Sequence, residues 1–89
     1  MATYMLVRHK VRDFAAWKPA YDAHRPKRDE ARLTEEHVLR GASDANEVVL
    51  LFRVADLARA KALAESSDLR DTMTKAGVVD RPDIYFLTD

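Results

Sequence analysis

Trp17, Tyr21 and His24 are the residues of this chain whose types and spacing could do chemistry. They follow one another at intervals of four and three residues, which places them on one face of a helix. Aromatic rings offer contact area to a flat, partly polar ligand, and their polar tips orient it. An imidazole titrates near neutral pH, so His24 could remove a proton from a phenol or from an activated carbon. The pattern therefore predicts a substrate pocket shaped by Trp17 and Tyr21, with His24 as the general base.

The same residues also permit an interpretation without chemistry. Trp17 and Tyr21 could be ordinary core side chains, and His24 could hydrogen bond to a backbone carbonyl group. The side chains that decide between the two interpretations are Phe14, Trp17, Tyr21 and Met73. If they fill the space between helix and sheet, only a non-catalytic function remains. If they line a cavity that His24 faces, an enzyme is favoured, and Met73 contributes to substrate binding.

Two further side chains are candidates for substrate binding. His9 belongs to a predicted first strand and could face the helix from the sheet. Arg53 follows an apolar run, and it could either bind a ligand carboxylate at the pocket rim or reach water at the strand end. His37 and Glu35 share one face of a polar strand, but a zinc site usually needs more ligands. We therefore predict no metal site.

The composition argues against several classes of function. The chain has 89 residues, of which 15 are basic and 15 acidic, and it has no cysteine. The balanced charge gives no electrostatic reason to expect nucleic acid or an anionic membrane as a partner. Disulfide bonds and thiol catalysis are excluded. No apolar run approaches the roughly 20 residues that span a bilayer, and no signal peptide is recognisable. These features predict a cytoplasmic protein.

The hydrophobic pattern predicts a single domain over 1–89 in which the element order is strand, helix, strand, strand, helix and strand. Asp13 and Asp56 are suitable N-caps for the two helical regions, and Gly77 is a suitable left-handed C-cap for the second. The segment 27–32 has mixed charges, which predicts a solvated face. Right-handed crossovers fold this order into a four-stranded antiparallel sheet with helices on one face, which is a ferredoxin-like α+β arrangement.

The third strand, at 47–54, indicates how the sheet is covered. It contains five consecutive apolar residues, whereas a strand with one face in water would alternate. A chain of this length can cover one face of its sheet with helices but hardly both. The simplest cover for the other face is a second copy of the same sheet. The sequence therefore predicts a homodimer formed through the sheet.

Three other groups of proteins with this topology do not fit the chain. RNA-recognition domains need exposed aromatic residues on the central strands, and Phe52 is the only aromatic residue of the third strand. Metal-transfer domains use paired cysteines, which are absent here. Amino-acid-sensing domains usually have glycine at the first strand-to-helix turn, where this chain has the segment 11–13.

The chain resembles the dimeric α+β barrel superfamily, which includes antibiotic-biosynthesis monooxygenase-like and polyketide-cyclase-like small proteins. The segments that carry the resemblance are HKVRDF at 9–14, WK at 17–18, YD at 21–22, VVLLFRVAD at 48–56, SSDLRDTM at 66–73 and AGV at 76–78. The resemblance implies two sheets paired face to face into a barrel, and a pocket between the sheet and the helices of each subunit. Haem degradation is disfavoured, because it would call for an asparagine beside the haem, and the only asparagine, Asn46, lies in a predicted turn.

The resemblance also implies a function. It indicates a small enzyme of the monooxygenase or cyclase type that acts on an aromatic or polyketide-like molecule without a tightly bound cofactor. The alternative is a non-catalytic ligand-binding or stress-response module with the same fold.

Overall fold

The computed structural model describes residues 2–89. The strands are β1 (Thr3–Lys10), β2 (Leu33–Arg40), β3 (Glu47–Val54) and β4 (Asp83–Thr88). The helices are α1 (Phe14–Ala23), α2 (Arg25–Glu30), α3 (Leu57–Ala64) and α4 (Ser67–Ala76). Each predicted helical region is thus divided into two shorter helices. Within residues 2–89, no helix is long and apolar enough to cross a membrane.

The four strands form one antiparallel sheet in the order β2-β3-β1-β4. The apolar strands β1 and β3 lie in its centre, and the more polar β2 is an edge strand. The helices pack on one face. The predicted α+β, ferredoxin-like architecture is therefore confirmed.

The core lies between this face of the sheet and the helices. Alternate side chains of β1 point into it, because successive residues of a strand face opposite sides. These side chains are Met5, Val7 and His9, and Val11 continues the series beyond the strand. On β3 the buried set is Val48, Leu50, Phe52 and Val54.

The side of the sheet turned away from the helices is not covered by any other element of residues 2–89, and we call it the open face. Cross-strand register places Leu6 beside Leu51 in its centre and Arg8 beside Val49. On the β4 side, Tyr85 lies opposite Leu6. The apolar stripe of the open face explains why the third strand lacks alternation.

The start of α1 is fixed by two capping interactions. The Asp13 side chain accepts a hydrogen bond from the Ala15 backbone N–H at 3.2 Å, as its N-cap position predicts. The Phe14 N–H donates to the side-chain oxygen of Asn46 at 3.0 Å. Asn46 thereby ties the helix to the turn between β2 and β3. The next helical turn consequently places Trp17 over the sheet.

The helix α1 continues through Pro19. Proline removes the N–H that would bond to the carbonyl group of Ala15. Ala15 and Pro19 both lie on the exposed side of α1, so water can bond to this carbonyl group. The helix ends later, where His24 joins α1 to α2.

The second helical region has the predicted end signals. The side chain of Asp56 accepts a hydrogen bond from the Arg59 N–H at the start of α3, and Ser66 caps α4 in the same way. Gly77 ends α4 with φ of 96°, a left-handed conformation that glycine adopts without strain. No side chain of α4 is fully buried. The helix α4 is therefore the loosest part of the helical layer.

Candidate functional site

A cavity of about 60 Å³ lies between the sheet and the helices. Its wall is mostly apolar, with contributions from β1, β3 and every helix. The predicted site residues in this wall are His9, Trp17, Tyr21, His24 and Met73. The structure thus brings together five of the six side chains that the sequence indicated. Phe14 packs behind the wall against Trp17.

A row of stacked rings forms one side of the cavity. The ring centroids of Trp17 and Tyr21 are 4.8 Å apart and their planes differ by 24°. This stack follows from their spacing, because residues four apart are neighbours on a helix surface. The His9 ring meets Trp17 edge to face, with centroids 5.6 Å apart. Trp17 and Tyr21 therefore belong to the core and line the cavity at the same time.

Two imidazole nitrogens of this site have no hydrogen-bond partner within residues 2–89. They are Nδ1 of His9 and Nε2 of His24, and both atoms are buried. A buried polar atom without a partner typically costs about 1–3 kcal/mol. Such atoms in a cavity wall mark places where a ligand or an ordered water would be held. The Nε2 atom of His24 does not make the backbone hydrogen bond that the non-catalytic interpretation of the sequence proposed.

Burial lowers the pKa of both histidines below the ordinary value. For His9, desolvation is the largest cause, and the nearby Asp80 carboxylate opposes it. For His24, desolvation again comes first, and the positive charge of Arg28 lowers the pKa further. Both imidazoles are therefore neutral near neutral pH. The neutral form is the one that accepts a proton.

Tyr21 contributes its ring rather than its hydroxyl group. The hydroxyl donates a hydrogen bond of 2.7 Å to Oε1 of Glu35 on β2. Burial, followed by this hydrogen bond, raises the pKa of Tyr21 above its usual range. Trp17 stacks on one face of the Tyr21 ring and the Arg28 guanidinium lies over the other. Because the hydroxyl is already bonded as well, the part of Tyr21 left for a ligand is the edge of its ring.

Arg28 is a site residue that the sequence interpretation missed. The segment 27–32 was predicted to be solvated, but Arg28 is only 9% exposed and lines the cavity. Its guanidinium carbon lies 3.8 Å from the centroid of the Tyr21 ring. The signal was present in the spacing, since Tyr21, His24 and Arg28 continue the helical face of the aromatic residues. The positive charge of Arg28 argued against a buried position, because arginine side chains are mostly exposed.

Arg53 does not belong to this site, and its predicted position at the pocket rim is wrong. Alternation along β3 turns Phe52 toward the cavity and Arg53 toward the open face. There the Nε atom of Arg53 lies 3.1 Å from Oε1 of Glu36, and both side chains are partly in water. The simpler interpretation, a charge that reaches solvent near a strand end, is the one that the structure supports.

His37 is also remote from the cavity. It is exposed, and it pairs in register with Leu51, which belongs to the open face. In the described part of the chain, residues 2–89, no group of three or more histidine or carboxylate side chains is placed to hold a metal ion.

Comparisons with known proteins identify the fold. No protein-family profile and no curated protein matches the chain. A protein from Bordetella bronchiseptica described as an antibiotic biosynthesis monooxygenase superposes with a TM-score of 0.74 at 13% identity, over 99% of this chain and 96% of its own. For SnoaB, a cofactor-independent oxygenase from Streptomyces nogalater, the TM-score is 0.73 at 12% identity, over 99% and 92%. For Rv0793 from Mycobacterium tuberculosis, it is 0.69 at 16% identity, over 100% and 95%.

At these identities the likeness concerns the fold and not the substrate. It agrees with the resemblance seen in the sequence segments. The chain therefore has the fold of the antibiotic biosynthesis monooxygenase-like proteins.

Proposed function

We propose that this protein oxidises a small aromatic molecule with molecular oxygen, in the cavity between α1 and the sheet and without a tightly bound cofactor. The observation that carries the proposal is the pair of unpartnered imidazole nitrogens of His9 and His24 in an aromatic-walled cavity. The similarity of fold to SnoaB, a cofactor-independent oxygenase, supports this type of reaction.

His24 is the proposed base. Its neutral Nε2 atom would remove a proton from a phenol or from an activated CH₂ carbon beside an aromatic ring. The resulting carbanion or phenolate is rich in electrons and reduces oxygen directly. Overall, a CH₂ group and one O₂ molecule give a carbonyl group and one water molecule. Both C–H bonds and the O–O bond break, the carbon gives up the four electrons that oxygen takes up, and His24 returns its proton to the departing water.

His9 would hold the far end of the substrate. It is 1% exposed and lies in the floor of the cavity, where its Nδ1 atom can bond to a hydroxyl or carbonyl group. Trp17 and the ring edge of Tyr21 would contact the substrate ring. The role of His9 is therefore orientation, and that of His24 is proton transfer.

Access to the cavity involves α4. A volume of about 60 Å³ is too small for an aromatic ring, since a cavity of roughly 150 Å³ is of the size that accepts benzene. A second space of about 360 Å³, which we call the α4 groove, shares Leu69 and Met73 with the cavity. Outward movement of α4 would join the two spaces. Because α4 buries no side chain completely, such a movement exposes little apolar surface.

We further propose that the protein is a homodimer joined through the open face. Its apolar side chains at the edges are well exposed in the single chain, with Tyr85 at 53%, Leu39 at 51% and Leu87 at 44%. The charged residues around them are already paired within the chain, as Arg8 is with Asp80 and Asp83 at 3.0 Å. A second sheet could cover the apolar stripe without burying unpaired charges.

The test of the proposed reaction is oxygen uptake by the purified, chelator-treated protein with a panel of anthrones, which carry an activated CH₂ group beside aromatic rings. We expect turnover, and we expect His24→Ala to lower kcat/KM by ~10²–10⁴-fold, the usual contribution of a general base. The melting temperature should change little, because His24 is only partly buried. The exposed His37→Ala variant is the matched control and should keep the wild-type rate.

Two outcomes would contradict the proposal. A folded His24→Ala variant that turns over normally would remove His24 as the base. Tight binding of aromatic compounds with no oxygen uptake would favour the non-catalytic binding module instead.

A further inference from the structure

Arg28 is a buried cation that has no anionic partner among the described residues 2–89. Its neighbours on α2 are paired, Arg25 with Asp29 and Lys27 with Glu30. Arg28 forms no ion pair within residues 2–89, although it is only 9% exposed. Its one hydrogen bond in this part of the chain runs from Nη1 to the carbonyl oxygen of Tyr21, at 2.7 Å.

This arrangement leaves most of the binding capacity of the guanidinium group unused. The group carries five N–H donors in a planar fork, and arginine is rarely buried unless it is paired. Stacking on the Tyr21 ring and the hydrogen bond to its carbonyl oxygen hold the group in place. They do not neutralise its charge. The side chain is therefore fixed in position for an anion that is not part of the protein.

The anion would come from the cavity side. The lining of the cavity contains no aspartate or glutamate. On its other side Arg28 borders an outer groove, whose acidic residues are Asp22, Asp29 and Glu35. An anion in this groove would meet three carboxylates and only one further cation, Arg25, which is paired with Asp29. An anion in the cavity would meet neutral imidazoles and aromatic rings.

The aromatic row fixes where the anionic group lies relative to the rest of a ligand. Rings and guanidinium follow one another in the order His9, Trp17, Tyr21 and Arg28. On the sheet below, the cavity extends from Met5 to His9, which is roughly 13 Å of strand at 3.3 Å per residue. A flat molecule lying along this row would have one end at His9 and the other at Arg28.

We infer that the ligand of this cavity is an aromatic acid, with its carboxylate bound by Arg28 and its ring in the cavity beside Trp17, Tyr21 and His24. A planar carboxylate matches the guanidinium fork and can accept two parallel hydrogen bonds. The inference rests on the proposed function only in using the same cavity as the ligand site. It does not depend on the oxidation step.

The test uses Trp17, the only tryptophan of the chain, as a fluorescence reporter in the cavity wall. Phenylacetate and phenylacetamide are the probes, because they match in size and differ in charge. We expect the acid to bind the wild-type protein about tenfold or more tightly than the amide, as for a charge-assisted pair in a partly buried site. In Arg28→Gln this preference should disappear, with weaker binding of the acid and little change for the amide.

Arg25→Gln is the matched control, since Arg25 lies on the same helix but is exposed and absent from the cavity wall. It should keep the preference for the acid. Arg28→Lys retains the charge without the fork and should keep part of the preference. If Arg28→Gln does not fold, Arg28→Lys and the comparison of the two probes on the wild-type protein still decide the matter.

The inference is overturned if the wild-type protein binds acid and amide equally, if it binds neither, or if a folded Arg28→Gln variant keeps the preference. Its failure is distinguishable from failure of the proposed reaction. A preference for the acid without oxygen uptake would refute only the reaction, and equal binding of both probes would refute only the acid specificity.

Discussion

At the level of single residues, His9 and His24 owe their properties to where the fold buries them. Both rings lie in the cavity wall, and each has a buried nitrogen without a partner within residues 2–89. Desolvation is the first cause of the lowered pKa of each. Both rings therefore stay neutral under conditions in which an exposed histidine begins to take up a proton.

His9 should make the free energy of unfolding depend on pH. Its pKa is lowered in the folded state and ordinary, near 6.5, in the unfolded state. As the pH falls below about 6.5, the unfolded chain takes up a proton that folded His9 does not, so the free energy of unfolding decreases. His9→Gln lacks this contribution and should lose less stability between about pH 7.5 and pH 5. Urea denaturation at several pH values measures the difference.

The control for this prediction is His37→Gln, because His37 is exposed on the open face. This variant should retain the wild-type pH dependence. Asp80 and Arg8, the charged groups that influence His9, are unchanged in both variants. An equally steep loss of stability in His9→Gln and wild type would show that His9 is not held neutral by the fold.

The sequence predicts some of these residues better than others, for physical reasons. Trp17, Tyr21 and His24 are found by helical spacing, because one face of α1 meets the sheet. Arg28 continues this spacing, but its charge suggested a solvated position. For Arg53 the sequence leaves two positions open, the pocket rim and a strand end in water, because a run of apolar residues without alternation does not tell which residues face the helices.

Among the elements, α4 is the one expected to move. Met73→Ala would widen the passage between the cavity and the α4 groove, both of which Met73 lines. We expect phenylacetate to bind a few-fold more tightly or faster, because less of α4 has to move. The cost in stability should be about 1 kcal/mol, below the 2–5 kcal/mol of a fully buried methionine. Tryptophan fluorescence and thermal unfolding measure both effects.

Met73→Trp should do the opposite and fill the space, so that phenylacetate no longer binds. Lys75→Ala provides the control on the same helix, because Lys75 is exposed and lines neither the cavity nor the α4 groove. Unchanged binding in both Met73 variants would mean that the ligand does not pass beside α4.

The limits of the elements follow from capping residues that the sequence shows directly. Asp13, Asp56 and Gly77 occupy the predicted end positions. The course of α1 at Pro19 is harder to predict. A proline near the exposed side of a helix leaves its unpaired carbonyl group in water, and the sequence does not reveal in advance which side is exposed.

At the level of the whole molecule, the open face is the proposed dimer interface. Leu51 lies in its centre, next to Leu6 on one side and His37 on the other. If two sheets pair here, Leu51→Glu would bury a carboxylate without a partner, which costs several kcal/mol. We expect the wild-type protein to be a dimer in native mass spectrometry and Leu51→Glu to be a folded monomer.

Leu57→Glu is the control for the assembly, since Leu57 is 41% exposed but lies at the start of α3, away from the open face. This variant should remain a dimer. A monomeric wild-type protein, or a dimer that persists in Leu51→Glu, would show that the open face is not the interface.

The most direct test of the central claim is a measurement of the ring-nitrogen chemical shifts of the three histidines in isotope-labelled protein. The ligand to add is hydroxyphenylacetate, which offers a phenol to the imidazoles and a carboxylate to Arg28. The account predicts that the nitrogens of His9 and His24 shift with saturation while those of His37 stay unchanged. Unshifted nitrogens at His9 and His24 in the presence of saturating ligand would contradict it.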